Sequence, residues 1–380
     1  MRRVLHYAAI TSAAAIILSI AFFPVLANAA YQWDIPDWIP PPAEPPDNHM
    51  TPAKVALGRH LFYDKRLSVN QTMACATCHR QARAFTDGKS TPIGVTGEVG
   101  KRNTMSLGNV GYFPTLTWGK PQIASLEAQA LIPIFGEHPV ELGLAGKEAL
   151  LIQRLKTELR YRKLFAQAFP EKARASDAAL YSISTVTRAI ASFQRTLLSF
   201  NSPYDRYKYG NDKHAIGPAA QRGEALFKSG KMACYRCHGS LYFTDNVYHA
   251  RMNVPEQGFH NTGLYNEDGQ GAYPPGHLGI AEFTGRANDV GKFRTPSLRN
   301  IALTAPYMHD GSMATLEEVI RIHYAKKGRA VHAGRPANPL RSPLISGFQI
   351  SDGEVRDLVE FLKSLTDQNF IRNRKFSDPW

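Results

Sequence analysis

The sequence predicts a mainly α-helical fold, built as two similar units packed against each other with little β structure. Three observations carry that expectation. A C-x-x-C-H motif occurs twice, as ACATCH at 74–79 and as ACYRCH at 233–238. Its surroundings repeat as well: "ALGRHLFYDKRLSVNQTMACATCHRQARAFTD" and "AQRGEALFKSGKMACYRCHGSLYFTD" share a Leu-Phe pair before Met-Ala-Cys and a Phe-Thr-Asp after the histidine. Self-similarity of this kind marks an internal duplication. Helical periodicity and capping signals run through the rest of the chain.

Taken in order, residues 1–29 read as an export signal. Arg2 and Arg3 precede an apolar run from Ala8 to Leu26 that closes on Ala27-Asn28-Ala29, a small-x-small cleavage site, so cutting falls before Ala30. The competing reading is an uncleaved membrane anchor, because the run is long enough to span a bilayer. No later segment is apolar enough to do so. The mature chain is therefore expected in the periplasm, with no stable membrane insertion once the signal is cut. A Pro-rich segment occupies 30–50, followed by one unit over 51–205 and a second over 206–380.

Within the first unit, Thr51-Pro52 places a cap and an N1 proline in the favoured order for a helix start. Between Ser176 and Phe200, the residues Leu180, Ile183, Val186, Ile190, Phe193 and Leu197 recur at three- and four-residue steps, which predicts one buried helical stripe. From Asn246 to Lys292 periodicity disappears and Gly, Pro and Asn crowd in, as in a long functional loop. Thr315 with Glu318 and Ser351 with Glu354 have capping-box spacing, and each is expected to open a short amphipathic helix.

With 380 residues and 43% hydrophobic content the chain can bury a sizeable core. Its formal charge of +13 falls to +11 when Arg2 and Arg3 leave with the signal. Export disfavours nucleic acid as a partner, and no Lys/Arg cluster exceeds a few residues. What remains is either a solvated basic surface or a docking patch for an acidic redox partner.

All four cysteines, Cys75, Cys78, Cys234 and Cys237, belong to the two motifs. A disulfide would make a tight redox loop and would not need the histidine. Zinc uses Cys and His, yet paired knuckles normally lie close in sequence, whereas these are far apart. Covalent haem c accounts for the whole pattern: two thioethers fix the porphyrin edge, and His79 or His238 meets the iron from the proximal side. Zinc and dithiol chemistry stay as the alternatives.

The stretches "LFYDKRLS", "RNTMSLGN", "TLTWG", "LEAQA" leading to "HPVELG", and "FRTPSLRNIALTAPYMHDGSMATLEEVI" together resemble the bacterial dihaem cytochrome c peroxidase and MauG superfamily. The later "IHYAKKGRAVHAGRPANPLRSPLISGFQISDGE" is most similar to the MbnH branch, MauG homologues that accompany methanobactin or copper-handling genes. The resemblance implies two cytochrome c-like haem domains, with the N-terminal haem as the peroxide site. It implies a distal acid at Glu141, in Pro-Val-Glu-Leu-Gly, able to move a proton between peroxide oxygens. Gln129 matches the accompanying distal glutamine. Glu137 is a rival acid, because the spacing is stretched by "FGEH". No histidine between the first motif and Asn103 is there to plug this iron, although His138 is a more distant source.

For the second haem the resemblance implies Tyr324 as distal ligand, with His323, Met308 and Met313 as chemical rivals. Trp118 matches the tryptophan lying between the haems. Asn103, Thr304 and Pro306 match positions that hold a calcium ion through oxygen atoms. Where MauG carries a surface tryptophan as the exit to its substrate, this chain has Met232, so Tyr235 or Tyr242 is expected to complete the route, or the partner docks differently. The function implied is a MauG-like oxidase that uses hydrogen peroxide to oxidise an aromatic residue, Trp to kynurenine, on a periplasmic copper-binding partner protein. The alternative is a cytochrome c peroxidase fed by a small redox protein.

Overall fold

The computed structural model describes residues 31–328 and 336–380. The expected export signal at 1–29 lies outside the described residues. Helix accounts for 39% of the described residues and strand for 6%, which makes the fold mainly α. Among the described residues the strands form two short antiparallel pairs, Asn246–Val247 with Glu256–Gln257 and Phe259–Asn261 with Lys292–Arg294. No helix among the described residues is long and apolar enough to cross a membrane.

The duplication seen in sequence is a duplicated helix crossing. In the first half the helix Pro52–Tyr63 starts where Thr51 Oγ1 accepts the Lys54 amide at 3.2 Å, and it packs across the helix Ile183–Arg195. In the second half Pro218–Phe227 packs across Asp352–Ser364. A glycine sits at each crossing. A Cβ on Gly58 would lie 1.8 Å from the Ala189 carbonyl oxygen, and one on Gly223 would lie 2.0 Å from that of Asp357. Each glycine precedes its Leu-Phe pair by the same interval, Gly58 before Leu61-Phe62 and Gly223 before Leu226-Phe227. The repeated sequence therefore encodes a close backbone approach followed by two core side chains.

Two apolar clusters belong to one half each: one around Leu57, Leu61, Phe165 and Ile190, the other around Phe227, Phe243, Phe361 and Leu362. A third, with Phe62, Phe85, Tyr112, Phe200, Tyr242 and Phe370, joins the halves. Beside it Arg299 donates to both Asp205 carboxylate oxygens at 2.9 and 3.0 Å, with both side chains almost wholly buried. Bidentate geometry and further bonds to Leu241 and Ser199 carbonyls satisfy this charge pair away from water.

Three expectations need correction. The stripe from 176 to 200 is buried, but it is two helices, Asp177–Leu180 and Ile183–Arg195. Ser182 and Thr185 cap the second reciprocally, at 3.3 and 3.1 Å, and this cap outcompetes helix continuation. The region 246–292 is not all loop, because its two ends pair as strands with segments inside it, Glu256–Gln257 and Phe259–Asn261. Ser351 and Glu354 form a full capping box, whereas Glu318 reaches past Thr315 to the Ala314 amide at 2.8 Å. The turn Leu316–Glu318 then widens into a π-helix, Val319–Tyr324, rather than an ordinary amphipathic helix.

Because backbone oxygens fill the space, G58A and G223A are each expected to push a helix pair apart and cost roughly 1–3 kcal/mol in chemical denaturation. G230A, where nothing lies within 4 Å of the new carbon, is expected to be near neutral.

Candidate functional site

Both motifs fold into one helical turn, Cys75–Cys78 and Tyr235–His238. In the first, Thr77 Oγ1 accepts the Ala74 amide at 2.9 Å and the His79 amide donates to the Cys75 carbonyl at 2.9 Å, so the loop is closed on itself. His79 Nδ1 donates to the Phe85 carbonyl at 2.8 Å, and His238 Nδ1 donates to the Phe243 carbonyl at 2.9 Å. A carbonyl only accepts, so Nδ1 holds the proton and Nε2 is free to bind a metal. Burial lowers the pKa of both rings, which favours the neutral, ligating form.

Beside the first motif is a cavity of about 60 Å³ lined by Cys75, Cys78, His79, Gln129, Glu141 and Gln194. Gln129 comes from the helix Leu126–Phe135, capped by Ser125, and Glu141 from the segment that follows it. Burial alone raises the Glu141 pKa, so a proton is held there more readily than on an ordinary carboxylate. Glu137 and His138 are exposed and line neither cavity. The structure thus separates Glu141 from its rival acid and from the distant histidine. Gln194 carried no motif signal. It is buried at the end of the Ile183–Arg195 helix, with its Oε1 lacking a protein partner.

The second motif borders a cavity of about 250 Å³. Cys234, Cys237 and His238 lie on its wall, and Leu316, Ile320 and Tyr324 enter from the π-helical face. Burial pushes the Tyr324 phenol well above its ordinary value. Among the rivals, Met308 shares the cavity, whereas His323 and Met313 do not line it. The first half contributes Thr86, Asn103, Thr104 and Trp118 to the same cavity. Since Phe85 holds His79 and Thr86 lines the second cavity, the two sites are neighbours along this strand of chain.

Trp118 Nε1 donates to the Asn103 carbonyl at 2.8 Å, and the Asn103 amide donates to the His309 carbonyl at 2.8 Å. The Asn103 side-chain amide donates to Lys89 and Ser90 carbonyls, which leaves its Oδ1 as an acceptor. Thr304 and Pro306 line the same cavity. An amide oxygen, a hydroxyl and backbone carbonyls are hard donors that suit calcium with waters completing the shell. Met232 is buried against this cavity, Tyr242 is buried in the inter-half core, and Tyr235 is exposed between the motif cysteines.

Sequence patterns missed one further group. His260 Nε2 pairs with Asp245 Oδ2 at 2.6 Å, and this bond, with help from Cys237, raises the histidine pKa to about 10. Cys237, Asp245 and His260 present donor atoms within 4.8 Å of one another. A complete structural zinc site needs a fourth ligand, and no fourth His, Cys, Asp or Glu joins this group among the described residues. Burial also pushes Cys75 and Cys234 to about 12 and Cys78 to about 11, which keeps these thiols protonated and disfavours dithiol chemistry. A haem fits each motif better: a paired thiol edge, a neutral imidazole with Nε2 free and a cavity beside it, largely apolar at the second motif and mixed at the first.

The profile of the di-haem cytochrome c peroxidase family matches residues 52–213. The methylamine utilization protein MauG of Methylophilus methylotrophus is 36% identical over 351 residues, 90% of this chain and 92% of that protein. A cytochrome-c peroxidase of Denitromonas iodatirespirans is 33% identical over 96% of this chain and 93% of its own length. The crystal structure of a MauG-like protein associated with microbial copper homeostasis superimposes with a TM-score of 0.87 at 48% identity, covering 92% of this chain and 100% of that one. Duplicated motif, paired cavities and full-length likeness converge: the chain belongs to the family of di-haem cytochrome c peroxidases and MauG, enzymes that carry two haem cofactors.

Proposed function

We propose that the protein is a periplasmic MauG-like oxidase that uses hydrogen peroxide to oxidise an aromatic residue, Trp to kynurenine, on a partner protein linked to copper binding. The observation that carries this reading is Tyr324 in the second cavity beside the Cys234-Cys237-His238 motif, in a chain 48% identical to a MauG-like protein associated with copper homeostasis. Two units, 51–205 and 206–380, each hold one haem c through thioethers to their cysteines, with His79 and His238 as iron ligands. Haem held there would supply the redox chemistry: peroxide activation and storage of its oxidising equivalents.

The chain's own residues do the rest. Glu141, in a site that favours its protonated form, takes and returns a proton at the peroxide oxygens. Gln129 orients that group from the facing helix. Tyr324 is held in surroundings where a phenol ionises only beside a positive centre; as a hard anionic ligand it stabilises the oxidised second haem. Trp118, tied to Asn103 in the wall of the second cavity, is the aromatic relay between the sites. Calcium held by Asn103, Thr304 and Pro306 keeps that wall rigid. Tyr235, exposed between the cysteines, is the better placed of the two tyrosines to face a docked partner. The apolar signal at 1–29 directs export.

E141Q is expected to retain both haems and lose about 10²–10⁴-fold in peroxide turnover, measured by stopped-flow. The same variant tests burial. Glu141 has a folded-state pKa above its unfolded value of about 4.3, so its ionisation costs stability that appears as pH rises from that value through the folded one. E141Q is therefore expected to gain stability relative to the parent at pH 7 and none below pH 4.

Electron paramagnetic resonance of the resting enzyme is expected to show one high-spin five-coordinate haem and one low-spin haem with a tyrosinate signature. Y324F should alter the second signal alone. A methionine-type second haem would instead indicate the cytochrome c peroxidase alternative, and a mass gain on candidate copper-binding partners after peroxide treatment would identify the substrate.

A further inference from the structure

Arg294 ends the short strand Lys292–Arg294, and its side chain points into the second cavity. It is only 4% exposed. Its Nε and Nη1 have no hydrogen-bond partner, and its Nη2 meets only the Met105 sulfur at 3.4 Å. The guanidinium lies over the Phe113 ring at 5.0 Å. Asp245 is the acid whose field acts on it, yet that carboxylate bonds His260 instead. Thr104, which lines the same cavity, is 8% exposed, and its Oγ1 is likewise buried without a partner. A guanidinium stays protonated in proteins and is costly to bury unless an anion pairs with it. Two unused buried donors on one guanidinium, one on each edge, and an unpartnered hydroxyl lining the same cavity call for an anionic acceptor such as a carboxylate.

A haem tethered by two cysteines carries its two propionates on the edge away from the thioethers. We propose that Arg294 and Thr104 bind a propionate carboxylate of the second haem and so fix that edge against Trp118. This rests on the second cavity being a haem site. The arginine comes from the second half and the threonine from the first, so the carboxylate bridges the halves. The Arg294 amide also donates to the Trp118 carbonyl at 2.9 Å, which ties the strand carrying the arginine to the segment carrying the tryptophan. Arg294 is thus a positioning residue: it sets haem orientation and, through its charge, the potential of the iron.

The test uses the holoprotein and its R294M, R294K and T104V variants. Haems per chain are counted by alkaline pyridine absorbance, and the midpoint potential of each haem is measured by spectroelectrochemistry. Removal of a positive charge near the porphyrin favours ferric iron, so R294M is expected to lower the second haem's potential, with the first unchanged. R294K should restore most of the shift, and T104V should give a smaller change in the same direction. Loss of the second haem from R294M but not from R294K would also support the assignment. An unchanged second-haem potential in R294M overturns it, as does failure of R294M and R294K alike while T104V leaves the potential unmoved. Parent protein lacking haem at the second motif would overturn the underlying haem reading, an outcome separable from the others because it precedes any substitution.

Discussion

Each candidate centre depends on one hydrogen bond, from the motif histidine's Nδ1 to a backbone carbonyl just downstream. That bond decides which nitrogen carries the proton, and hence which nitrogen faces the cavity. It also fixes the ring plane relative to the two cysteines, because the motif turn and the accepting carbonyl belong to one short stretch of chain. Phe85 and Phe243, whose carbonyls accept, are themselves anchored in apolar clusters. Ligand geometry is therefore held by core packing, and the duplicated Phe-Thr-Asp after each motif is the record of that requirement.

A second constraint holds the halves together. Asp205 and Arg299 are buried as a bidentate pair, and the neighbouring Asn300 side chain donates to Ser199 and accepts from the Asp367 amide. Asn109 exchanges two bonds with Ser199. These polar groups are all satisfied inside the molecule, and so they specify one arrangement of the halves where apolar packing would permit sliding. Chemistry that depends on two centres at a fixed separation needs such a lock.

The two cavities differ in ways that suit different tasks. The first is small and lies within one half, with a carboxyl whose proton is retained by desolvation. The second is larger and is walled by both halves, with a tyrosine, a buried arginine and a tryptophan facing it. Duplication supplied the same motif turn twice, and divergence of the opposite wall made the two cavities unlike. A π-helical turn, a local irregularity often found at functional sites, presents Tyr324 while turning His323 away.

The sequence alone determined the features that depend on local spacing. The two C-x-x-C-H turns, the Thr51 and Ser351 caps and the buried stripe through Ile190 and Phe193 each follow from residues a few positions apart, where chain geometry leaves little choice. Other features need contacts over long separations. The pairing of Phe259–Asn261 with Lys292–Arg294 and the π-helix at Val319–Tyr324 are set by neighbours that no local pattern names, whereas the break at Ser182 comes from the local Ser182–Thr185 cap. Gln194 and His260 belong to cavities by virtue of the helix or strand that carries them, and nothing in their immediate sequence marks them; Arg294 lies in a stretch that carries the resemblance, yet only the fold aims it into a cavity. Spacing fixed where a tether can form; only folding decided what stands across from it, because the opposite wall is assembled from segments distant along the chain, Gln129, Glu141 and Gln194 at the first motif and Trp118, Arg294 and Tyr324 at the second.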